Sequence, residues 1–241
     1  MTSLTFRVSI FVGILLCAYG IANDVETKLV KRLLRDYDPR VRPVLAHEDA
    51  VTVKLGIGLV DILEAQGNVF DIHSWLKLIW TDVSLRWNPS DYGDIHSIKI
   101  LPFTATKDPV IWLPDIFLYR GETMELDTTA TVRVVISHDG SVTWIPLRKL
   151  KIRCYPAPEV AGQPKNMTCG IKLGSWVYSV GELDLQDHGN STIDHLIVSK
   201  PSDKWTLSDV KYERVQTVYP CCPEAYVHYN FNLTLAENKK A

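Results

Sequence analysis

The sequence lacks any large excess of one charge, because 26 Lys and Arg residues face 28 Asp and Glu residues in a chain of 241. No basic surplus is available to recognise a polyanion, so we expect no nucleic-acid partner. Internal repeats and low-complexity segments are also missing, and the 46% apolar content is that of a globular protein. Aromatic residues are abundant instead, with 7 Trp and 10 Tyr.

Signatures of hydrolytic enzymes are missing too. The chain contains no Gly-x-Ser-x-Gly and no His-Glu-x-x-His motif. Its 7 His residues are scattered, without the spacing of metal ligands. We therefore expect no enzymatic activity, no metal ion and no other cofactor.

Long apolar runs are confined to the N-terminus, so we expect no membrane insertion by this chain; a spanning helix needs about 20 apolar residues. Residues 1–22 resemble a secretory signal peptide, with one charge at Arg7, an apolar stretch, and the small residues Gly20 and Ala22 before the cleavage point. A helix of the fold itself is the alternative. Cleavage predicts a secreted, extracellular chain with one domain over 23–241, unless the sequence is a fragment of something longer.

Four cysteines remain after Cys17 is removed with the signal peptide, and an even number in a secreted chain predicts two disulfides. Of the three possible pairings, spacing favours Cys154 with Cys169, since closing a loop of this size contributes about 3 kcal/mol in the chain-entropy model. Cys221 then pairs with its neighbour Cys222. Adjacent Cα atoms are closer than a disulfide prefers, so this bond serves local shape rather than loop closure.

The spacing of apolar residues changes once along the chain. From about residue 24 to 37 it is helical, and from about 50 to 236 it has a period of two, interrupted by Gly, Pro, Asn and Asp. We predict an all-β protein: an immunoglobulin-like twisted β-sandwich of about ten strands with an N-terminal α-helix. A true immunoglobulin domain is disfavoured, because Cys154 and Cys169 are close together with no Trp between them. The predicted strand runs are 51–63, 72–87, 98–101, 109–119, 130–137, 141–153, 171–185, 210–219 and 225–235.

Some aromatic residues do not fit the core face of their strands. Trp75 shares the less apolar face with Lys77 and Ile79, which indicates an interface or ligand site, or else a half-buried surface Trp. Near Thr81 the alternation changes phase, as a β-bulge would cause. In the last strand, Tyr226 lies on the face opposite the apolar one.

The hairpin tip reads Tyr219-Pro-Cys-Cys-Pro-Glu-Ala-Tyr226. Two tyrosines on a stiffened, projecting loop favour contact with a ligand over a turn without function. Trp176 and Tyr119, considered alone, are more typical of a core than of a site.

In their order along the chain, these residues resemble the extracellular ligand-binding domain of the pentameric Cys-loop receptors in its nicotinic form, with the soluble acetylcholine-binding proteins as the best match. The adjacent cysteines between two tyrosines are the most specific feature. The matching motifs are Trp75 with Trp80-Thr-Asp82 and Trp87-Asn88, Trp112-x-Pro-Asp115 with Tyr119, the loop from Cys154 to Cys169, Gly174-Ser-Trp176, and Tyr219-x-Cys221-Cys222-x-x-x-Tyr226.

The resemblance implies a ring of five subunits that binds acetylcholine and nicotine-like amines at each subunit boundary. Both half-sites occur in one sequence, so a homopentamer suffices, with a mixed ring as the alternative. Lys172 matches a family position near the hairpin tyrosines. The implied principal face comprises Tyr119, Trp176, Tyr219, Cys221, Cys222 and Tyr226, and the implied complementary face comprises Trp75, Val135, Thr143 and Ile145.

The chain also departs from the channel receptors. Their Cys-to-Cys loop carries an apolar stretch that meets the membrane domain, whereas the loop here is polar and has a glycosylation sequon at Asn166. Further sequons at Asn190 and Asn232 are consistent with secretion, and Thr143 stands where relatives often have a larger residue. These features favour a secreted acetylcholine-binding protein over a channel ectodomain. A secreted lectin that stacks sugar rings on exposed Trp is the alternative from another class.

Overall fold

The structure is a computed structural model that describes residues 24–64, 67–121, 123–126, 132–158, 165–188 and 204–238. The predicted signal peptide lies outside these residues. Helix α1 spans residues 24–34, somewhat shorter than predicted, because residues 35–36 already form a turn. It buries Leu29 and Leu33, one helical turn apart, against the rest of the domain, and no helix within the described ranges is long and apolar enough to cross a membrane.

The rest of the described chain is mostly β-strand, which confirms the predicted fold class. Two short 3-10 helices, Val83–Leu85 and Pro89–Tyr92, lie between the second and third strands. The strands are β1 Val51–Glu64, β2 Val69–Thr81, β3 Ser97–Ile100, β4 Ile116–Arg120, β5 Thr123–Leu126, β6 Val134–Ser137, β7 Ser141–Trp144, β8 Leu147–Pro156, β9 Asn166–Ser175, β10 Leu183–Asp187, β11 Trp205–Val218 and β12 Ala225–Glu237.

Strand β8 connects the two sheets of the sandwich. Its residues from Leu147 to Arg153 pair with β2 in a first sheet that also contains β1, β3, β5, β6, β7 and β10. Its last residues, from Cys154 to Pro156, pair with β9 in a second sheet that also contains β4, β11 and β12. A strand that changes sheets in this way forms a corner of the sandwich.

The described residues form twelve strands where nine runs were predicted. Two of the predicted runs are each divided in the structure, and β5 lies in a segment for which no strand was predicted. The run 141–153 breaks between β7 and β8 at Pro146, which has no N–H to donate to a ladder. The run 171–185 breaks after Ser175, where the Asp115 carboxylate accepts the main-chain N–H groups of Trp176 and Val177.

The phase change near Thr81 has a different cause from the predicted bulge. Strand β2 ends at Thr81, and Asp82 caps the following 3-10 helix by accepting a hydrogen bond from the Ser84 N–H at 2.9 Å. Asp82 is fully buried and also accepts a 2.6 Å hydrogen bond from the Tyr37 hydroxyl, so the turn is fixed to the segment that follows α1. Trp80 and Trp87 are buried in the core on either side of it.

The two predicted disulfides are present. Cys154 and Cys169 stand directly opposite each other where β8 meets β9, and both are fully buried. Cys221 and Cys222 are bonded at the tip of the β11–β12 hairpin, where Cys221 is exposed and Cys222 is half-buried.

We expect mild reductant to open the Cys221–Cys222 bond before the Cys154–Cys169 bond, because a thiolate must reach a sulfur atom to exchange with it. Mass mapping of a thiol label applied during limited reduction measures the order. Label on Cys154 and Cys169 first would contradict the prediction. In denaturant, where both bonds are accessible, the difference in rate should become smaller.

Candidate functional site

Strands β4 and β9 bring the rings of Tyr119 and Trp176 together, with their centres 5.4 Å apart. Trp176 directly follows β9 and is 60% exposed, whereas Tyr119 is half-buried. Phe117 lies two residues before Tyr119, is half exposed, and places its ring 6.1 Å from that of Trp176. Phe117 was not predicted to be a site residue, although its alternation with Tyr119 along β4 is a signal that could have identified it.

The carboxylate of Asp115 fixes the turn that carries Trp176. One oxygen accepts a 2.7 Å hydrogen bond from the Ser175 hydroxyl, and the other accepts the main-chain N–H groups of Trp176 and Val177 at 3.0 and 3.1 Å. The Tyr119 hydroxyl donates to the Ser175 carbonyl. Trp176 is therefore held by its backbone, and its ring remains exposed.

Gly174 allows Tyr119 to approach β9 and β12. A Cβ at this position would lie 2.9 Å from both the Val227 carbonyl oxygen and the His228 Cβ, and 3.0 Å from Cε2 of Tyr119. Because real Cβ atoms do not show contacts this close to backbone, a larger residue would force the strands or the ring apart.

The β11–β12 hairpin places Tyr219 and Tyr226 on either side of its tip, with ring centres 5.8 Å apart in an edge-to-face arrangement. The Cys222 N–H donates to the Tyr219 carbonyl at 3.0 Å, which closes the tip. At the base of the tip, the Ala225 carbonyl accepts a 2.8 Å hydrogen bond from the Val180 N–H in the segment that follows Trp176. This hydrogen bond connects the base of the hairpin to the segment that follows Trp176.

Lys172 connects Tyr119 with the hairpin. Its ammonium nitrogen lies 5.0 Å from the centre of the Tyr119 ring and donates a 3.3 Å hydrogen bond to the Tyr219 hydroxyl. Burial, together with the proximity of Tyr219, Asp115 and Tyr226, raises the pKa of Tyr119 to about 12, so its hydroxyl stays neutral. These interactions bring four predicted principal-face residues together: Tyr119, Trp176, Tyr219 and Tyr226.

His228 lies behind Tyr119 and was not identified as a site residue from the sequence. Alternation places it on the same face of β12 as Tyr226, yet it is 97% buried, with its ring 6.2 Å from that of Tyr119 and its Nδ1 without a hydrogen-bond partner. Burial first, and then the Lys172 ammonium, lower the pKa of His228 to about 4, while Glu213 opposes the shift. The imidazole is therefore neutral near pH 7.

The predicted complementary residues occupy one face of the first sheet. Val135 in β6 stands opposite Thr143 in β7, which in turn stands opposite Ile79 in β2. Trp75 lies on the same face of β2 as Ile79 and is half-buried, and Ile145 follows β7 with 37% exposure. In strand order, β8 separates these residues from the β9 and β12 strands of the principal face.

Two of the three predicted glycosylation sites lie on the paired strands β9 and β12 of the second sheet. Asn166 begins β9 and Asn232 is exposed in β12, where it helps line a hollow of about 270 Å³ that also borders Lys172 and His228. Asn190 lies outside the described residues. Within the described part of the chain, no cluster of three or more His, Cys, Asp or Glu side chains could hold a metal ion.

A sandwich that presents an exposed aromatic cluster under a disulfide-tipped hairpin has the features of a small-molecule ligand-binding domain. Comparison with known families agrees, since residues 26–236 match the family described as the neurotransmitter-gated ion-channel ligand binding domain. The chain belongs to this family.

Among similar proteins, acetylcholine receptor subunit alpha-L1 of Schistocerca gregaria is 33% identical over 89% of this chain and 39% of its own length. Acetylcholine receptor subunit alpha-like 2 of Drosophila melanogaster is 31% identical over 94% of this chain and 40% of its own length. The chain thus spans about 40% of the length of these relatives. The solved structure of Capitella teleta AChBP in complex with lobeline matches with a TM-score of 0.72 and 29% identity, covering 88% of this chain and 97% of that one.

The lowered pKa of His228 predicts a loss of stability in acid. Above about pH 6.5 the imidazole is neutral in both the folded and the unfolded chain, so it contributes no pH dependence. As the pH falls towards about 4, the unfolded chain binds a proton that the folded chain does not, and the free energy of unfolding decreases. Lys172 from β9 adds to this effect, and Glu213 from β11 reduces it.

Urea unfolding of the parent protein and of His228→Gln between pH 7.5 and 4.5 measures this effect. The urea concentration at the midpoint of unfolding should decrease more steeply with falling pH in the parent than in His228→Gln. Carboxylate titration is common to both proteins, so the difference between the two curves reports the imidazole. His96→Gln, at an exposed position outside the site, is the matched control and should follow the parent. Parallel curves for the parent and His228→Gln would show that the buried imidazole does not contribute.

Proposed function

We propose that this protein binds acetylcholine and nicotine-like amines, with the ligand cation held between aromatic rings at the boundary of two copies of the chain. The observation that carries the proposal is the exposed Trp176 ring, fixed by its backbone beside Tyr119, which in turn lies near Tyr219 and Tyr226 of the hairpin. Lobeline, the ligand in the Capitella teleta structure, is a further candidate.

Aromatic rings suit such a ligand because they attract a cation without a large cost of their own desolvation. A buried carboxylate would have to lose its hydration first. Each ring contact with a cation contributes about 0.5–2 kcal/mol, and micromolar affinity corresponds to about −8 kcal/mol. Several ring contacts together with apolar burial are sufficient for that range after the cost of association.

Trp176 is the best candidate for the main contact with the cation. Lys172 already places its ammonium group over the rings of Tyr119 and Tyr219. Among the described residues, no Lys or Arg lies over the Trp176 ring. Its face is therefore available to a ligand.

The proposed assembly is a homopentameric ring. The two predicted half-sites lie on different sheets, separated by β8 in the strand order, so a head-to-tail contact can bring the principal face of one copy to the complementary face of the next. A heterologous contact of this kind closes into a ring when the rotation between copies permits it. Light scattering of the purified protein measures the mass, and a monomer that remains monomeric with acetylcholine would contradict the proposal.

We further propose that the protein is extracellular and secreted, and that it sequesters acetylcholine rather than gating a channel. The polar loop between Cys154 and Cys169 supports this role, because a glycan at Asn166 would obstruct docking on a membrane domain. The alternative role is the ectodomain of a nicotinic-type channel subunit. Membrane-spanning helices encoded after Ala241 in the full transcript would show that the chain is the ectodomain of a channel subunit.

A secreted lectin is the competing hypothesis from another class, since exposed Trp residues also stack on sugars. Titration with a simple quaternary amine separates the two hypotheses. We expect tetramethylammonium to compete with acetylcholine and simple sugars to have no effect. The reverse result would favour the lectin.

Trp176→Ala should weaken acetylcholine binding by at least about 2 kcal/mol, because it removes the exposed ring and leaves the Asp115 hydrogen bonds to the backbone in place. Calorimetry measures the affinity, and light scattering confirms that assembly is retained. Tyr155→Ala removes a comparably exposed ring, 64% against 60%, outside the site, and should bind like the parent. Unchanged affinity in Trp176→Ala would reject the assigned role.

A further inference from the structure

Gly58 in β1 stands directly opposite Trp75 in β2. A Cβ atom built on Gly58 would overlap Cε2 and Cζ2 of the Trp75 indole and lie 2.5 Å from its Nε1. The ring therefore fills the volume that a side chain at position 58 would occupy. The backbone of Gly58 is not in a left-handed conformation, so the need for glycine here is steric.

The contact also shows which way the indole leans. Strand β2 has β1 at one edge and β7 and β8 at the other. The Trp75 ring lies over β1, on the side away from Leu147 in β8, which stands opposite Trp75 at the other edge of β2. Further along the same face, Ile79 stands opposite Thr143 in β7, and Thr143 is itself small.

We infer that Gly58 is a positioning residue that lets the Trp75 indole lie over β1 and so keeps the complementary face wide enough for ligands larger than acetylcholine. This inference rests on the proposed function, in which Trp75 contributes to the ligand site. A side chain at position 58 would drive the indole towards Leu147 in β8 or outward into solvent. The indole would then either narrow the complementary face or no longer lie on it.

The test is a double-mutant cycle with the parent, Gly58→Ala, Trp75→Ala and the double variant. Gly58→Ala should weaken lobeline binding about tenfold, weaken acetylcholine binding less, and lower the melting temperature. In the Trp75→Ala background the same substitution should change affinity by less than about twofold and leave the melting temperature unchanged. Equal losses in both backgrounds, or no loss in the parent background, would overturn the inference.

Gly170→Ala is the matched control, because it introduces the same methyl group within a strand where the nearest atom, Oδ1 of Asn232, is 3.9 Å away. It should leave both ligand affinities unchanged. Should Gly58→Ala fail to assemble, recovery of folding in the double variant would support the steric contact with Trp75. Failure of both variants would overturn it.

The inference and the proposed function fail in different ways. If the parent binds neither ligand, or if Trp75→Ala binds both as the parent does, the proposed role of Trp75 is wrong. If Trp75→Ala weakens binding while Gly58→Ala changes the affinity equally in the parent and in the Trp75→Ala background, only the positioning role of Gly58 is wrong.

Discussion

The arrangement of the aromatic site depends on one interaction, the use of both oxygens of the Asp115 carboxylate. Its two oxygens bind the Ser175 hydroxyl and two consecutive main-chain N–H groups, so the turn after β9 has a single geometry. An exposed Trp is normally positioned by packing, which would cover part of its ring. Here the backbone holds the position, and the Trp176 ring remains exposed to a ligand.

The second constraint is electrostatic. Lys172 places a cation between the rings of Tyr119 and Tyr219, and no described carboxylate lies within ion-pair distance of it. His228, packed behind Tyr119, stays neutral because burial and Lys172 both oppose its protonation. A second positive charge at this depth would repel both Lys172 and a ligand amine. The neutral imidazole fills the space without that repulsion.

The sequence predicted the fold well because alternation depends on local burial. Every second residue from Val227 to Leu235 is buried as expected, and Trp75 and Tyr226 do lie off the apolar faces. Contacts between distant parts of the chain could not be predicted in this way. Asp115 reaches across 60 residues to Ser175, and His228 is buried because a ring from another strand covers it. Both residues occupy positions that alternation alone assigns to a polar face or loop.

The crossing of β8 between the sheets holds the predicted principal and complementary residues in a fixed relation. The buried Cys154–Cys169 bond lies at the point where β8 leaves the first sheet and pairs with the second. It therefore joins β8 to β9 at the corner where β8 enters the second sheet, whereas the Cys221–Cys222 bond joins neighbours and constrains only the hairpin tip. Of the proposed ligand contacts, those on β2, β6 and β7 and at the end of β9 are part of the constrained framework. In the proposed complex, adjustment to ligands of different size would fall to the hairpin tyrosines, and the inferred position of Trp75 over β1 would set the space available to the ligand.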